Sequence, residues 1–493
     1  MSQSPSGSPT ENVFQVNGPV QPEREASSGS LYYKGSTVIP TSHKARTLVL
    51  CFDGTGDQFD ADNSNIVNFF SALSKGDPDN QMVYYQAGIG TYVGRGGNPI
   101  LTKISKMLDE AVAWNLETHI MDGYEFLMQN CFSRGAYTAR CLAGMLHKVG
   151  LLPTCNHQQV PFAYKMYMRP DEYGWKQSNA FKKAFSIDVD IEFLGVWDTV
   201  NSVGIIPKRL PFSASNNLVR SFRHAISLDE RRAKFKANVW NRPVHGEDLL
   251  SITDQEAARR VKKAEKTQGK HKDKHRGHLH RYALTHQIIV VERRYDVGGG
   301  SVTNGTPHSL ARIPLRWMIR ECFKCETGII FQVEMLRKLG MDLDSLFPIV
   351  LPRPPIRSPE GSAFIERIPK TQPSILAQAD DTDSEVDATL IMSEEEHEMR
   401  DALSPKYDQL AMKKTWWLGE VMPMRHRYQR SNNEWVKQWG LNLGKGRIIP
   451  RQATHGVQVH RSVKIRLDGA FENGKKYAPK AANLDMSKVT WVD

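Results

Sequence analysis

Long apolar runs are absent from this sequence. No uninterrupted stretch approaches the roughly 20 residues that cross a bilayer. Residues 1–44, rich in Ser, Pro, Gly and Glu, contain no apolar core of a secretory leader. A soluble, cytoplasmic protein with a disordered N-terminal tail is the expectation. Cysteine is scarce too: Cys51, Cys131, Cys141, Cys155, Cys322 and Cys325 follow no disulfide framework. Cys322 and Cys325 make a single C-x-x-C with no second pair at zinc-finger spacing, so they read as neighbours on a helix. A basic binding face is also lacking. Of the net charge of +11, about +8 falls between Arg259 and Arg281, where ten Lys or Arg stand against Glu265 and Asp273. The rest of the surface is close to neutral, which argues against a nucleic-acid partner. The histidines at 271, 275, 278 and 280 lie among those lysines without a carboxylate or thiolate, so a metal site is not expected.

What is present is an alternation of strands and helices. "RTLVLCFDGTG" is an apolar strand that ends in Asp53-Gly54-Thr55-Gly56, as a buried parallel strand does when it opens into a ligand-facing loop. A helix is expected from Ser64 to Leu73, a strand over residues 82–90, helices over 101–118 and 120–129, and another helix from Ala136 to Val149. "VDIEFLGVWDTVNSVG" repeats the opening pattern, with Asp198 at the strand's end. "HQIIVVERRYDVGGGS" offers a further strand running into glycines. Such a series argues for an α/β sheet whose function gathers at the carboxyl edge of its strands. Domains are expected at 1–44 (tail), 45–355 (α/β domain, with 251–281 a basic insertion), 356–404 (acidic disordered linker) and 405–493 (a segment packing on the main domain). Trp416 and Trp417 read as a buried aromatic pair at that junction rather than a lipid-facing patch.

The candidate chemistry centres on Cys131-Phe132-Ser133-Arg134-Gly135. A serine hydrolase needs a serine on a strained turn, a histidine base and a carboxylate that orients the base. The usual turn is G-x-S-x-G, because its glycines let strand and helix approach closely. Here the second glycine is present and the first is cysteine. The pentapeptide alone fits a nucleophile turn and a helix N-cap equally well.

"LVLCFDGTG", "YYQAGIGT", "FSRGAYTARCLAGML", "GVWDTV", "RHAISLDERR" and "YDVGGGS" then occur in the order found in a family of α/β-hydrolase-like proteins of unknown function. That family is related to the catalytic domain of the type VI secretion phospholipase effectors (Tle-like). "WWLGEVMPMRHRY", "GKGRIIP" and "VHRSVKIRL" resemble the C-terminal part of its fungal members, so the likeness covers roughly 45–350 and 405–480. The resemblance implies an α/β-hydrolase-like fold with helices flanking a mainly parallel sheet. It implies Ser133 as nucleophile, the backbone N–H of Arg134 as one oxyanion donor, the Gly54-Thr55 loop as a source of the second, and Asp198 as the acid. The implied substrate is a lipid or phospholipid ester, with peripheral membrane contact and no metal or organic cofactor.

Two departures from the family pattern stand out. Between the helix of "YEFLMQN" and the Phe-Ser-Arg-Gly turn, the family has a turn and a buried strand; this chain passes from Asn130 through Cys131 directly into Phe132. The family histidine falls at Arg294, and an arginine is no general base at neutral pH. His286 remains as a tentative base, eight residues upstream at the start of its strand, whereas His224 reads as structural or substrate-side. The expectation is an ester hydrolase with an impaired site. The alternative is an inactive pseudohydrolase that binds lipid or a protein partner.

Overall fold

A computed structural model of the chain describes residues 36–41, 45–54, 58–88, 117, 119–125, 136–200, 218–237, 284–290, 294–359, 364–368, 392–429, 435–449, 457–482 and 484–493. The strands are β1 (Val38–Ile39), β2 (Thr47–Phe52), β3 (Gln81–Gln86), β4 (Ile191–Trp197), β5 (Val219–Ser227), β6 (Leu284–Val290), β7 (Phe331–Gln332), β8 (Met424–Gln429), β9 (Trp435–Gly440), β10 (Val457–His460) and β11 (Val489–Val492). The helices used below are α1 (Asn65–Ala72), α2 (Ala136–Val149), α3 (Val160–Met168), α4 (Glu172–Phe185), α5 (Arg294–Gly298), α6 (Arg312–Lys324), α7 (Val333–Lys338), α8 (Glu394–Leu403), α9 (Gln409–Met412), α10 (Trp417–Glu420) and α11 (Ser462–Asp468).

The central sheet has five parallel strands in the order β11-β10-β6-β5-β4, and β2 pairs in parallel with β3 as a separate ribbon. With helices packed around these strands, the fold is α/β. Among the described strands, none joins β4 to β2. What spans the two is α2, which packs on both and shares one apolar cluster, Ala139 and Ala143 included, with Phe52 of β2 and Leu194 and Val196 of β4. The junction from Asn130 to Phe132, where the family has a turn and a buried strand, lies outside the described residues.

Local sequence accounts for several elements directly. Ser64 caps α1 by accepting from Val67 N at 3.2 Å, and the helix buries Val67, Phe69 and Ala72. Asp171 caps α4, which has Glu172 in its first turn and Lys182 and Lys183 in its last, matching the helix dipole at both ends. α2 runs over the residues that its sequence predicts.

Other elements depart from expectation. Val38 and Ile39, within the expected tail, form β1 against β7, and Ile39 is fully buried. Apolar burial there outweighs the polar composition around it. "VRSFRHAIS", not expected as a strand, is β5, an interior strand between β6 and β4. Its polar residues are buried because partners meet them: Arg223 Nε bonds Glu321 of α6 at 2.5 Å.

The largest correction concerns the acidic linker. Residues 394–403 form helix α8, capped by Ser393. Its carboxylates at 394, 398 and 401 make one buried stripe. Arg320 grips Glu394 with two 2.9 Å bonds, Arg461 meets Glu398 at 2.6 Å, and Arg316 meets Asp401 at 2.6 Å. Arg353 reaches Glu394, Glu395, Glu398 and Asp493. A charged stripe replaces the apolar stripe of an ordinary core helix because every carboxylate meets a guanidinium. The strands that follow, β10 and β11, extend the central sheet beside β6. Trp416 is half-buried against Phe235 and Arg232, while Trp417 stays 40% exposed.

Two outcomes follow for stability. Asp401→Asn leaves Arg312 and Arg316 poorly paired in the interior and is expected to cost about 3–5 kcal/mol in denaturant unfolding. Burial alone would raise the carboxyls of Glu398 and Asp401, but Arg353 and His460 for the first, and Arg316 and Arg312 for the second, hold each at about 2. Folded values below unfolded ones mean stability that is complete above the ordinary carboxylate range and drains as pH falls toward 2. Unfolding midpoints across acid pH should therefore drop, and the drop should shrink in Asp401→Asn.

Candidate functional site

The carboxyl edges of β2, β4 and β5 present the residues that carry chemistry. Asp198 follows β4 and is buried, with a left-handed φ of +41°, a conformation that a non-glycine residue adopts at some cost. Its Oδ1 accepts from Ser227 N at 2.9 Å. Both oxygens also meet Arg447, at 2.5 Å from Nη1 and 2.7 Å from Nη2. Arg447 is itself buried and donates further to the carbonyls of Ser227 and Phe235. The carboxylate expected to orient a histidine is thus engaged by a guanidinium from the C-terminal segment.

Thr199 N donates to Nε2 of His224 at 3.1 Å, which makes that nitrogen an acceptor and puts the ring in service of the turn after Asp198. His286 is placed by register alone. It sits level with Arg223 and, through it, with Gly195, three residues below Asp198, or roughly 10 Å along the sheet. Arg294 opens α5. Ser133, Arg134 and Thr55 lie outside the described residues.

At the end of β2, Asp53 is buried, and burial pushes its pKa up against bonds from Tyr85 (Oη to Oδ2, 2.6 Å), Ser64 and Gly54. The Gly54 amide, an expected oxyanion donor, gives its hydrogen to Asp53 Oδ1 at 2.8 Å. The glycine run after Asp296 packs on the start of α1. Gly299, at φ +81°, bridges Ser64, and a Cβ there would come within 2.5 Å of the Asn65 nitrogen, so only glycine fits.

The direction of α2 settles which of its ends meets this edge. Just past its C-terminus, Leu151 exchanges two backbone hydrogen bonds with Ile187, ahead of β4. The helix therefore runs antiparallel to β4. Fourteen helical residues span about 21 Å. Seven strand residues span about 23 Å, so the head of α2 stands level with Asp198.

A second Ser-His-Glu grouping occurs where β10 turns into α11. His460 Nδ1 is 2.8 Å from Ser462 Oγ and its Nε2 is 3.8 Å from Glu398. All three are buried, Arg353 and Arg461 hold Glu398, and burial lowers the His460 pKa to about 4. The neighbouring cavity, lined by Arg320, Arg353, Glu394 and His460 among others, is about 10 Å³, room for a single water. This is a structural junction rather than a reaction centre. Cys322 and Cys325 close α6, where Arg223 Nη2 donates to Cys325 Sγ at 2.9 Å. No group of metal-binding side chains occurs among the described residues, and none of their helices is long and apolar enough to cross a membrane.

Parallel strands with helices packed around them, and with Asp53 and Asp198 at their carboxyl ends, define an α/β protein. The chain belongs to the family described as T6SS, Phospholipase effector Tle1-like, catalytic domain, whose model matches residues 46–321. An uncharacterized protein of Saccharomyces cerevisiae is 37% identical over 246 residues, which cover 44% of this chain and 36% of that protein. The chain thus matches about a third of that relative's length. Two solved structures overlap loosely at 17% identity. An uncharacterized protein from Pseudomonas aeruginosa has a TM-score of 0.32, covering 62% of this chain and 49% of its own. The Tle1 effector bound to the VgrG spike of the type 6 secretion system has a TM-score of 0.22, covering 54% and 53%.

Sequence reasoning missed Arg447. Its only signal was an arginine in "GKGRIIP", with nothing to link it to Asp198. Arg447→Met is expected to cost about 3–5 kcal/mol by stranding the Asp198 carboxylate. In a cycle with Asp198→Asn, denaturant unfolding should show a coupling of more than about 1 kcal/mol between the two positions.

Proposed function

We propose that this chain is a phospholipase-like serine ester hydrolase with impaired turnover, acting on a lipid ester. The observation that carries the reading is the placement of α2. Its head, at Ala136, stands level with Asp198 at the carboxyl edge, and Ser133-Arg134-Gly135 come immediately before it in sequence, which supports Ser133 as the nucleophile. Membership of the Tle1-like phospholipase family supports the substrate class. Ser133 Oγ attacks the ester carbonyl, the alkoxide leaves with a proton, and water releases the acyl group. The Arg134 N–H steadies the oxyanion.

Turnover is impaired because the base is poorly served. Asp198 is committed to Arg447, Arg294 stands at the family histidine's position, and His286 lies below the site by register. Loss of the correctly oriented base lowers kcat by about 10⁴-fold in a complete triad. Slow hydrolysis of an activated ester is therefore expected.

A second reading, a lipid-binding pseudohydrolase, is favoured by the Asp198–Arg447 pair. Incubation with a fluorophosphonate separates the two. Slow covalent labelling at Ser133, located by peptide mass spectrometry and abolished in Ser133→Ala, is the expected result. Absence of labelling over hours, with ester turnover equal to that of Ser133→Ala, would establish the pseudohydrolase.

A further inference from the structure

The described surface carries a concentrated apolar projection outside the sheet edge. Trp417, Leu418, Val421 and Met422 on and after α10, with Leu441 and Leu443 after β9, are all exposed; Leu418 is 66% and Leu443 51% accessible. They are neighbours in space. β8 and β9 pair with Met424 opposite Gly440, which sets Met422 beside Leu441 at the base of the hairpin. Leu443 N donates to Glu420 O at 3.2 Å, and a Cβ on Gly444 would stand 3.5 Å from the Trp417 ring. Trp439, 69% exposed, continues the patch along β9.

Three features distinguish this patch from scattered surface hydrophobes. It is rigidly mounted: the buried Glu420 carboxylate accepts from Ala233 N, Asn442 Nδ2 and Gly444 N at 2.6, 2.6 and 2.8 Å, pinning α10 and the 441–444 loop to the turn after β5. The Trp417 indole N–H is satisfied inside, on Leu410 O, which leaves the ring edge apolar. Leu443 holds a left-handed φ of +49°, where asparagine or glycine would be easier, while gaining little burial. Folding alone gives no reason for a leucine there.

The rim is basic. Residues 409–446 contain seven Lys or Arg and two acids. One of those acids is the buried Glu420, and Lys413, Lys414 and Lys445 are exposed beside the apolar side chains. Tryptophan, leucine and methionine ringed by lysine match the two layers of an anionic lipid surface, acyl chains beneath phosphate headgroups.

We infer that this projection, centred on Leu418, Met422 and Leu443, docks the protein on the surface of a bilayer that contains anionic phospholipid. Docking does not require hydrolysis, so it stands whether or not Ser133 is reactive. The apolar side chains enter the headgroup–acyl boundary, while the lysines hold the phosphates.

The test is co-sedimentation of the full chain with vesicles of phosphatidylcholine, with and without phosphatidylserine, run in parallel on Ser133→Ala to keep binding apart from turnover. Binding is expected only with phosphatidylserine and should weaken as salt rises. Leu418→Glu/Met422→Glu, both at exposed positions, should lower the partition coefficient at least about tenfold with the melting temperature unchanged. Lys413→Glu/Lys414→Glu should lower it about fivefold per charge. Failure of the parent chain to sediment with either vesicle would overturn the inference, as would undiminished binding by the Leu418/Met422 variant. A dimer in analytical ultracentrifugation that the same variant dissolves would also overturn it, by showing that a second copy covers the patch.

Discussion

The buried pair of Asp198 and Arg447 ties the two ends of this fold together. A carboxylate on a strained turn after β4 is held by a guanidinium that also gathers the carbonyls of Ser227 and Phe235. Two ions taken from water at this depth are tolerable only because nearly every donor finds an acceptor. The same pair brings the segment around residue 447 against the carboxyl edge of β4 and β5, and Glu420 adds three more bonds a few residues away. The chemistry-bearing edge and the C-terminal region are therefore one construction. An acid that would orient a base in a hydrolase here orients the fold.

A second set of buried charges supports the far side. α8 enters the interior through Glu394, Glu398 and Asp401, each met by arginines of α6 or of the chain around residues 353 and 461. Both arrangements follow one rule: segments with little apolar content can still be buried when opposite charges arrive from elsewhere in the sequence. β2 and β3 depend on a different device. Among the described residues they share no ladder with the five-stranded sheet, and α2 covers the space by packing on β2 and on β4. That gives α2 an unusual share of the apolar core and sets its N-terminus level with Asp198.

Function on this scaffold divides into two surfaces. The proposed ester chemistry falls at the carboxyl edge, where Asp53, Asp198 and the head of α2 lie. The projection around Leu418 and Leu443 carries none of that chemistry and presents apolar side chains with a basic rim.

Much of the α/β pattern was legible in the residues. β2, α1, β3, α2 and β4 follow from apolar periodicity and caps that act over a few positions, as with Ser64 on Val67 N. The family's motifs likewise put Asp198 at a strand end before any coordinates. β5 was not legible, because Arg223 and His224 look like surface residues until Glu321 and Thr199 are set beside them. α8 was misread for the same reason, since a run of glutamates signals solvent unless distant arginines are known to converge on it. Local hydrogen bonds and apolar spacing are written in adjacent residues. The partners of buried charge, the role of Arg447 and the exposure of Trp417 and Leu443 depend on segments tens to hundreds of residues apart, and only the tertiary structure decided them.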